Sequence, residues 1–280
     1  MWEVRAGSAK AYLFGDSGPL RAPWRSARFD AALADSQAFW KETPDTSARG
    51  LFLAKGIDPA RPLSTWLMPK DQARVAAAVG TVGLTSASLE RFRPWLAAVV
   101  LDSSFRSHFG FKQENGPEHA LVAAAKAGAK PIHSEFADVA EIVDYFAGFS
   151  KAAEVGALMR AVEDVEAGPD AAQRDADAWA AGDQGPATAK VRGLNRAYPD
   201  YYQAILVARN HRWPPRFRSY AGWRRDDFRP RRRRSSRRPR QRPEPACGRW
   251  HAGPPGLATQ PSQVAAALLQ MRRSAWKRRT

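Results

Sequence analysis

The sequence predicts an α/β domain: a small mixed sheet opened by an N-terminal β-hairpin, a large helical arm, and a disordered, arginine-rich C-terminal tail. Three observations carry that expectation. Short runs of aromatic and β-favouring residues alternate with turn chemistry over the first 42 residues, and from residue 47 to about 220 apolar residues recur at helical spacing between prolines and glycines. The charge then divides the chain. Of a formal net charge of +16, residues 223–280 hold 17 Lys and Arg against 3 Asp and Glu, which leaves 27 against 25 for residues 1–222. Residues 1–221 are thus a nearly neutral domain, and residues 222–280 a strongly basic tail.

Trp2 to Arg5 and Ala11 to Phe14 read as two strands, with Gly7 and Ser8 supplying the turn and the hairpin ending at Gly15. Asp16-Ser17-Gly18-Pro19 is loop chemistry. Phe29, Ala32 and Leu33 then lie at helical spacing before Phe39-Trp40 begins a strand ending near Glu42. This is a β-β-α-β opening. Between Ser47 and Leu101, Pro59, Pro62, Pro69 and Pro94 cut a helical pattern into short helices, and Pro69 suits a first helical turn. Pro117 to Ala127 reads as a helix capped by Gly128, feeding a short strand from Lys130 to Glu135. Four helices follow: Ala137 to Phe149, Lys151 to Ala167, Pro169 to Ala181 and Pro199 to Tyr220, separated by Gly148, Gly168 and the turn from Gly182 to Gly185.

Beyond Gly222 the texture changes. Residues 223–243 contain eleven Arg and no Lys, and their only large apolar residues are Trp223 and Phe228, so no period of 2 or 3.6 survives. A weak helical pattern resumes from Ser262 to Met271. Cys247 is the only cysteine, which excludes a disulfide framework and a cysteine-based zinc site. The longest apolar run, Trp95 to Leu101, is far below the ~20 residues of a membrane helix, so no membrane-spanning segment is expected. Met1-Trp2-Glu3-Val4 lacks the basic and apolar regions of a signal peptide, which points to the cytoplasm for the chain as written.

High-specificity motifs are absent: no Walker loop, dinucleotide glycine fingerprint, HExxH or GxSxG is present. The histidines at 108, 119, 133, 211 and 251 form no pair at i, i+3 or i+4, so each is expected to serve surface or core. Asp138, Glu141 and Asp144 share a helical face and are read as a solvated stripe ahead of a catalytic pair. Trp179 reads as an inward-packed indole near a helix end capped by Gly182. Arg209-Asn210 lies mid-helix, where asparagine is a poor helix former, and so invites either a polar role or simple exposure.

Several short elements occur in a fixed order. They are Met1-Trp2-Glu3-Val4, Ala11-Tyr12-Leu13-Phe14-Gly15, Trp24-Arg25-Ser26 and Phe39-Trp40-Lys41-Glu42, then Gly116-Pro117-Glu118 and Gly128-Ala129-Lys130-Pro131 leading to Glu135. Ala178-Trp179 with Gly182-Asp183, and Leu206-Val207-Ala208-Arg209-Asn210 with Trp213, complete the set. Together they resemble the TraB/GumN family, with its Tiki-like and PrgY-like branches, over residues 1–221. The resemblance implies an α/β fold with a helical arm and, in the Tiki-like branch, a peptidase or hydrolase dependent on a divalent metal. It also implies two GxxH elements with acidic residues between them. The first reads Gly15-Asp16-Ser17-Gly18 here, so glycine stands at the histidine position, and no second GxxH is present. Glu42, Glu118, Glu135, Arg209 and Asn210 remain as cleft candidates. No resident cofactor or zinc is expected, and an oxygen-only site formed by these carboxylates would suit magnesium or calcium better. The favoured expectation is therefore an inactive relative of the hydrolases.

Two other functions compete with it. Eleven arginines in the tail could hold polyanions non-specifically, and six engaged phosphates would give a log-log salt slope near about −5. The family name also associates with exported polysaccharide or envelope factors, although no sugar-binding signature is present. If Met1 is internal to a longer chain, an upstream signal peptide and export are expected. The tail is expected to be trimmed by trypsin to a core ending near residues 218–225. Finally, arginine without lysine is what GC-rich codons give out of register. Back-translating from Asp226 with permitted codons and dropping one base yields TTFVLVGGDH, a strand running into a GxxH element, then LVGPDSV and a helix-like PSLLAAAGMPA. A frame break near Tyr220 to Gly222 is therefore expected, with loss of a core strand and low solubility.

Overall fold

A computed structural model describes residues 1–6, 9–44, 49–213 and 266–270. Strands β1 (Trp2–Ala6) and β2 (Ala9–Phe14) form the expected antiparallel hairpin, in register from Trp2↔Leu13 to Ala6↔Ala9. Helix α1 (Ala27–Asp35) leads into β3 (Ala38–Lys41), whose four residues are all buried, as a strand covered on both faces requires. Helix α6 (Pro117–Ala127) returns through β4 (Ile132–Ser134), which pairs parallel to β3 from Phe39↔Ile132 to Lys41↔Ser134. Phe14, Phe39, Ala32, Leu33, Leu121 and Ala125 form one apolar cluster, so α1 and α6 cover the same side of the sheet.

The arm carries most of the core. Helices α2 (Arg49–Gly56), α3 (Pro69–Thr81), α4 (Ser86–Leu89) and α5 (Pro94–His108) precede α6, and proline opens α3, α5 and α6, where its missing N–H costs nothing. Val75, Val79, Leu101, Phe105, Leu158 and Val162 join α3 and α5 to α8 (Lys151–Ala181). Trp95, Leu96, Val139 and Val143 join α5 to α7 (Val139–Ala147). Helix α8 spans Lys151–Ala181 but breaks at Gly168, whose φ of 82° no other residue adopts easily, directly before Pro169. The two expected helices are therefore two limbs of a kinked one. Gly182, at φ 80°, closes the second limb.

Three findings correct the sequence reading. Helix α9 (Gly185–Ala197) was not anticipated, because its polar composition hides its period. The last helix, expected from Pro199 to Tyr220, begins with α10 (Pro199–Tyr202), opens into a π-helical segment over Gln203–Ala208 and closes again over 209–213. The Tyr145 hydroxyl donates to the Ala204 carbonyl, one of the groups that the wider turn frees. Most consequentially, Ala266–Gln270, part of the stretch read as weakly helical, is strand β5. It lies between β2 and β3, antiparallel to both, giving the order β1-β2-β5-β3-β4. The sheet is mixed, and the edge expected to be left open is filled. The frame break at Tyr220–Gly222, the arginine run over 224–242 and Cys247 lie outside the described residues.

Candidate functional site

Glu42 follows β3 directly and Glu135 follows β4, so the parallel pairing delivers both carboxylates to the same carboxyl end of the sheet. The Glu135 backbone N–H donates to the Lys41 carbonyl at 2.9 Å, extending the ladder by one step and fixing the two side chains as neighbours. Arg209 descends on them from the last helix, one residue past the π-helical segment. Its Nη2 lies 2.5 Å from Glu135 Oε2 and 3.1 Å from Glu42 Oε2, and its Nε 3.4 Å from Glu135 Oε1. Arg212, one turn on, pairs with Glu141 Oε1 and approaches Glu135 Oε1 at 3.8 Å. Both guanidinium groups lie over the Phe136 ring, at 5.5 and 4.7 Å, which gives the buried cations an apolar backing with a negative face.

Burial makes this centre electrostatically demanding. Glu135 is fully enclosed, and the Arg209 side chain is 14% exposed. Burial pushes the Glu42 carboxyl above its ordinary range, and the Arg209 charge pulls against that shift. Burial alone would weaken the Arg209 cation, but Glu42 and Glu135 outweigh it and raise its pKa. Asp16 completes the negative field. Its carboxyl is pushed up to about 6 by burial, against the backbone N–H groups of Gly18 and Ser17 and the charge of Arg106, and its Oδ1 is buried with no hydrogen-bond partner. Asp16 and Glu135 each add repulsion to Glu42.

The loop carrying Asp16 is held from two directions. Trp179 Nε1 donates to the Gly15 carbonyl at 2.7 Å, and its ring packs with Trp24 at 5.2 Å and Phe29 at 6.3 Å between centroids. The kink at Gly168 is what lets the second limb of α8 reach back to the hairpin. On the other side, Asn115 Nδ2 donates to the carbonyls of Leu20 (3.1 Å) and Arg21 (3.0 Å). A Cβ on Gly116 would stand 2.8 Å from the Gly18 carbonyl oxygen, so only glycine permits this approach. Gly18 itself sits at φ +73°, where a histidine would be strained even though the space beside it is open.

Of the residues singled out from sequence, Glu42, Glu135 and Arg209 come together. Glu118 lies partly buried in the first turn of α6, two residues beyond Gly116. Asn210 is partly buried beside Arg209 without entering its ion pairs. Gly15 and Gly18 bound the clamped loop. Asp16, Arg212, Glu141 and Trp179 were not read as site residues. Arg212 was detectable as a second cation three residues past Arg209, on the same helix face. The stripe of Asp138, Glu141 and Asp144 is structural: Asp138 caps α7 by accepting from Glu141 N, Glu141 accepts from Ala137 N and binds Arg212, and Asp144 pairs with Lys55. His133 packs against Trp40 in a tilted arrangement, 4.8 Å between ring centroids, and burial lowers its pKa.

The donor set does not fit a catalytic metal. Among the described residues no three His, Cys, Asp or Glu side chains are grouped as a cation needs. Glu42 and Glu135 are already neutralised by a guanidinium, whereas a metal ligand must offer its lone pairs uncontested. The profile of the TraB/PrgY/gumN family matches residues 1–223, which end just before the arginine run. No curated protein and no solved structure matches the chain.

Proposed function

The chain belongs to the TraB/PrgY/gumN family, and from that premise we propose that it is a non-hydrolytic member whose cleft is an internally neutralised ion-pair centre. The single observation that carries this reading is the grip of Arg209 on Glu42 and Glu135 at 3.1 and 2.5 Å. Metal-assisted hydrolysis requires ligands that hold an ion while leaving a coordination position open for water or substrate. Here the carboxylates spend their charge on an arginine anchored in the last helix, and the first-loop position that would offer an imidazole is Gly18. General acid-base chemistry is the remaining route, and Asp16 has the right range for it. Its carboxyl is held by the backbone N–H groups of Ser17 and Gly18, and with glycine at position 18 no imidazole stands beside it to relay a proton.

The segregation of charge into residues 223–280 supports a second reading, non-specific polyanion binding through the tail. It concerns a different part of the chain and is compatible with a silent cleft. Peptide hydrolysis tests the main reading. The full chain, assayed between about pH 5 and 9 with zinc, manganese or magnesium added, is expected to give no turnover that Glu42→Gln removes. Turnover abolished by that substitution would overturn it.

A further inference from the structure

Helix α8 carries the clamp on the Asp16 loop at the end of a lever. Its first limb, up to Ala167, is held by the core: Leu158, Val162 and Val165 are buried, and Arg74 on α3 grips Glu166 through hydrogen bonds of 2.8 and 2.7 Å. In the second limb, residues 169–181, no residue is buried. The helix breaks between them at Gly168, with φ 82° and ψ 171°, and Pro169 has no N–H to continue the ladder. A Cβ on Gly168 would meet nothing within 4 Å, so packing does not wedge the elbow. A cavity of about 180 Å³, lined by Ala167, Ala171, Ala172, Gly193 and Leu194, opens between the two limbs and α9 and leaves the second limb room to swing.

One side chain crosses the elbow. Lys190, on α9, places its Nζ 2.5 Å from Asp175 Oδ2 on the second limb and 3.4 Å from Asp164 Oδ1 on the first. Helix α9 is itself tied to the first limb, because Tyr198 at its C-terminus packs against the core and donates to Glu163 Oε1 at 2.6 Å. Lys190 therefore joins the fixed limb to the free one. It is 45% exposed, and the two carboxylates 30% and 31%, so these ion pairs are solvated, weak and open to screening by salt.

The far end of the lever meets the site. Asp175 stands one turn before Trp179 on the same helix face, and Trp179 Nε1 holds the Gly15 carbonyl at 2.7 Å. From Gly168 to Trp179 the limb is about 16 Å long at 1.5 Å per residue, so a swing of roughly 10° moves the indole by about 3 Å, which no hydrogen bond survives. We propose that α8 is a hinged lever, with Gly168 and Pro169 as its elbow and Lys190 as its ionic latch, and that opening the latch frees the Asp16 loop through Trp179. The device governs the mobility of the loop, and it operates whether or not the cleft is hydrolytic.

Hydrogen exchange of the Ser17 and Gly18 amides, which donate to the Asp16 carboxyl, reads the state of the loop in the full-length chain. At about 0.05 M salt, Lys190→Met is expected to lower their protection at least about tenfold, with the stem kept and the charge removed. Trp179→Phe, which loses the Nε1 donor but keeps a ring beside Trp24 and Phe29, is expected to do the same. The double variant is expected to be no less protected than the weaker single one, because both changes break one connection in series. Raising the salt to about 1 M is expected to lower the protection of the parent but not of Lys190→Met. Unchanged protection in either single variant, effects that multiply in the double variant, or an equal salt response in parent and Lys190→Met would overturn the proposal. Amides of the first limb are expected to stay protected throughout, and their parallel loss would mean general unfolding in place of a hinge and would overturn it equally.

Discussion

Replacing Arg209 with methionine is expected to lower the unfolding free energy by about 3–5 kcal/mol, the cost of leaving buried carboxylates without their cation. For a domain of this size that corresponds to a fall in Tm of roughly 6–20 °C. The loss arises because Glu135 is fully enclosed and, among the described residues, retains Arg212 at 3.8 Å, while Glu42 loses the Arg209 charge that opposes its desolvation. The effect has a defined pH dependence. Without Arg209 the folded-state pKa of Glu42 rises further, so the variant's deficit grows as pH rises through the carboxylate range and shrinks in acid, where the carboxyl is neutral in both states. Urea denaturation across that range measures it. The triple variant Arg209→Met, Glu42→Gln, Glu135→Gln is expected to regain much of the loss, because buried neutral amides need no cation. A single Arg209→Met variant as stable as the parent would mean that the ion pairs carry no weight.

Asp16→Asn is expected to act in the opposite direction. A carboxyl held up to about 6 in the folded state and near 3.8 in the unfolded state binds its proton more tightly when folded. Its ionisation therefore costs stability. The penalty is absent below the unfolded value, grows as pH rises between the two, and is complete above about 6. Asparagine keeps the acceptor that meets the backbone N–H groups of Ser17 and Gly18 but cannot ionise. The variant is expected to match the parent near about pH 4 and to exceed it by about 2–3 kcal/mol near about pH 8. An unchanged difference across that range would show that Asp16 is not the destabilised group. A residue that weakens the fold at neutral pH and sits in the clamped loop marks a position shaped by something other than stability.

Much of this architecture is legible in sequence because its signals are local. Proline at the first position of α3, α5 and α6, the alternating hairpin around residues 7 and 8, and the Gly168-Pro169 break each follow from one or two residues. Glu42 and Glu135 were legible as strand-end carboxylates, and Arg209 as a charged residue next to a poor helix former. Their convergence was not, since it depends on the parallel register of β3 with β4 and on the π-helical segment that sets the angle of Arg209. β5 was hidden for the same reason. Alanine and leucine carry a helical preference, and only the slot left by β2 and β3 makes the segment a strand. Glu118 was grouped with these residues on motif order, and Asn210 as a poor helix former beside Arg209, and neither signal fixes which side chains meet.

Elemental analysis of the purified full-length chain, after incubation with excess zinc and removal of free ion, tests the neutralised centre most directly. With Arg209 holding Glu42 and Glu135, and Gly18 offering no imidazole, the chain is expected to retain no stoichiometric zinc. One tightly held zinc per chain, lost in Glu42→Gln, would contradict the account.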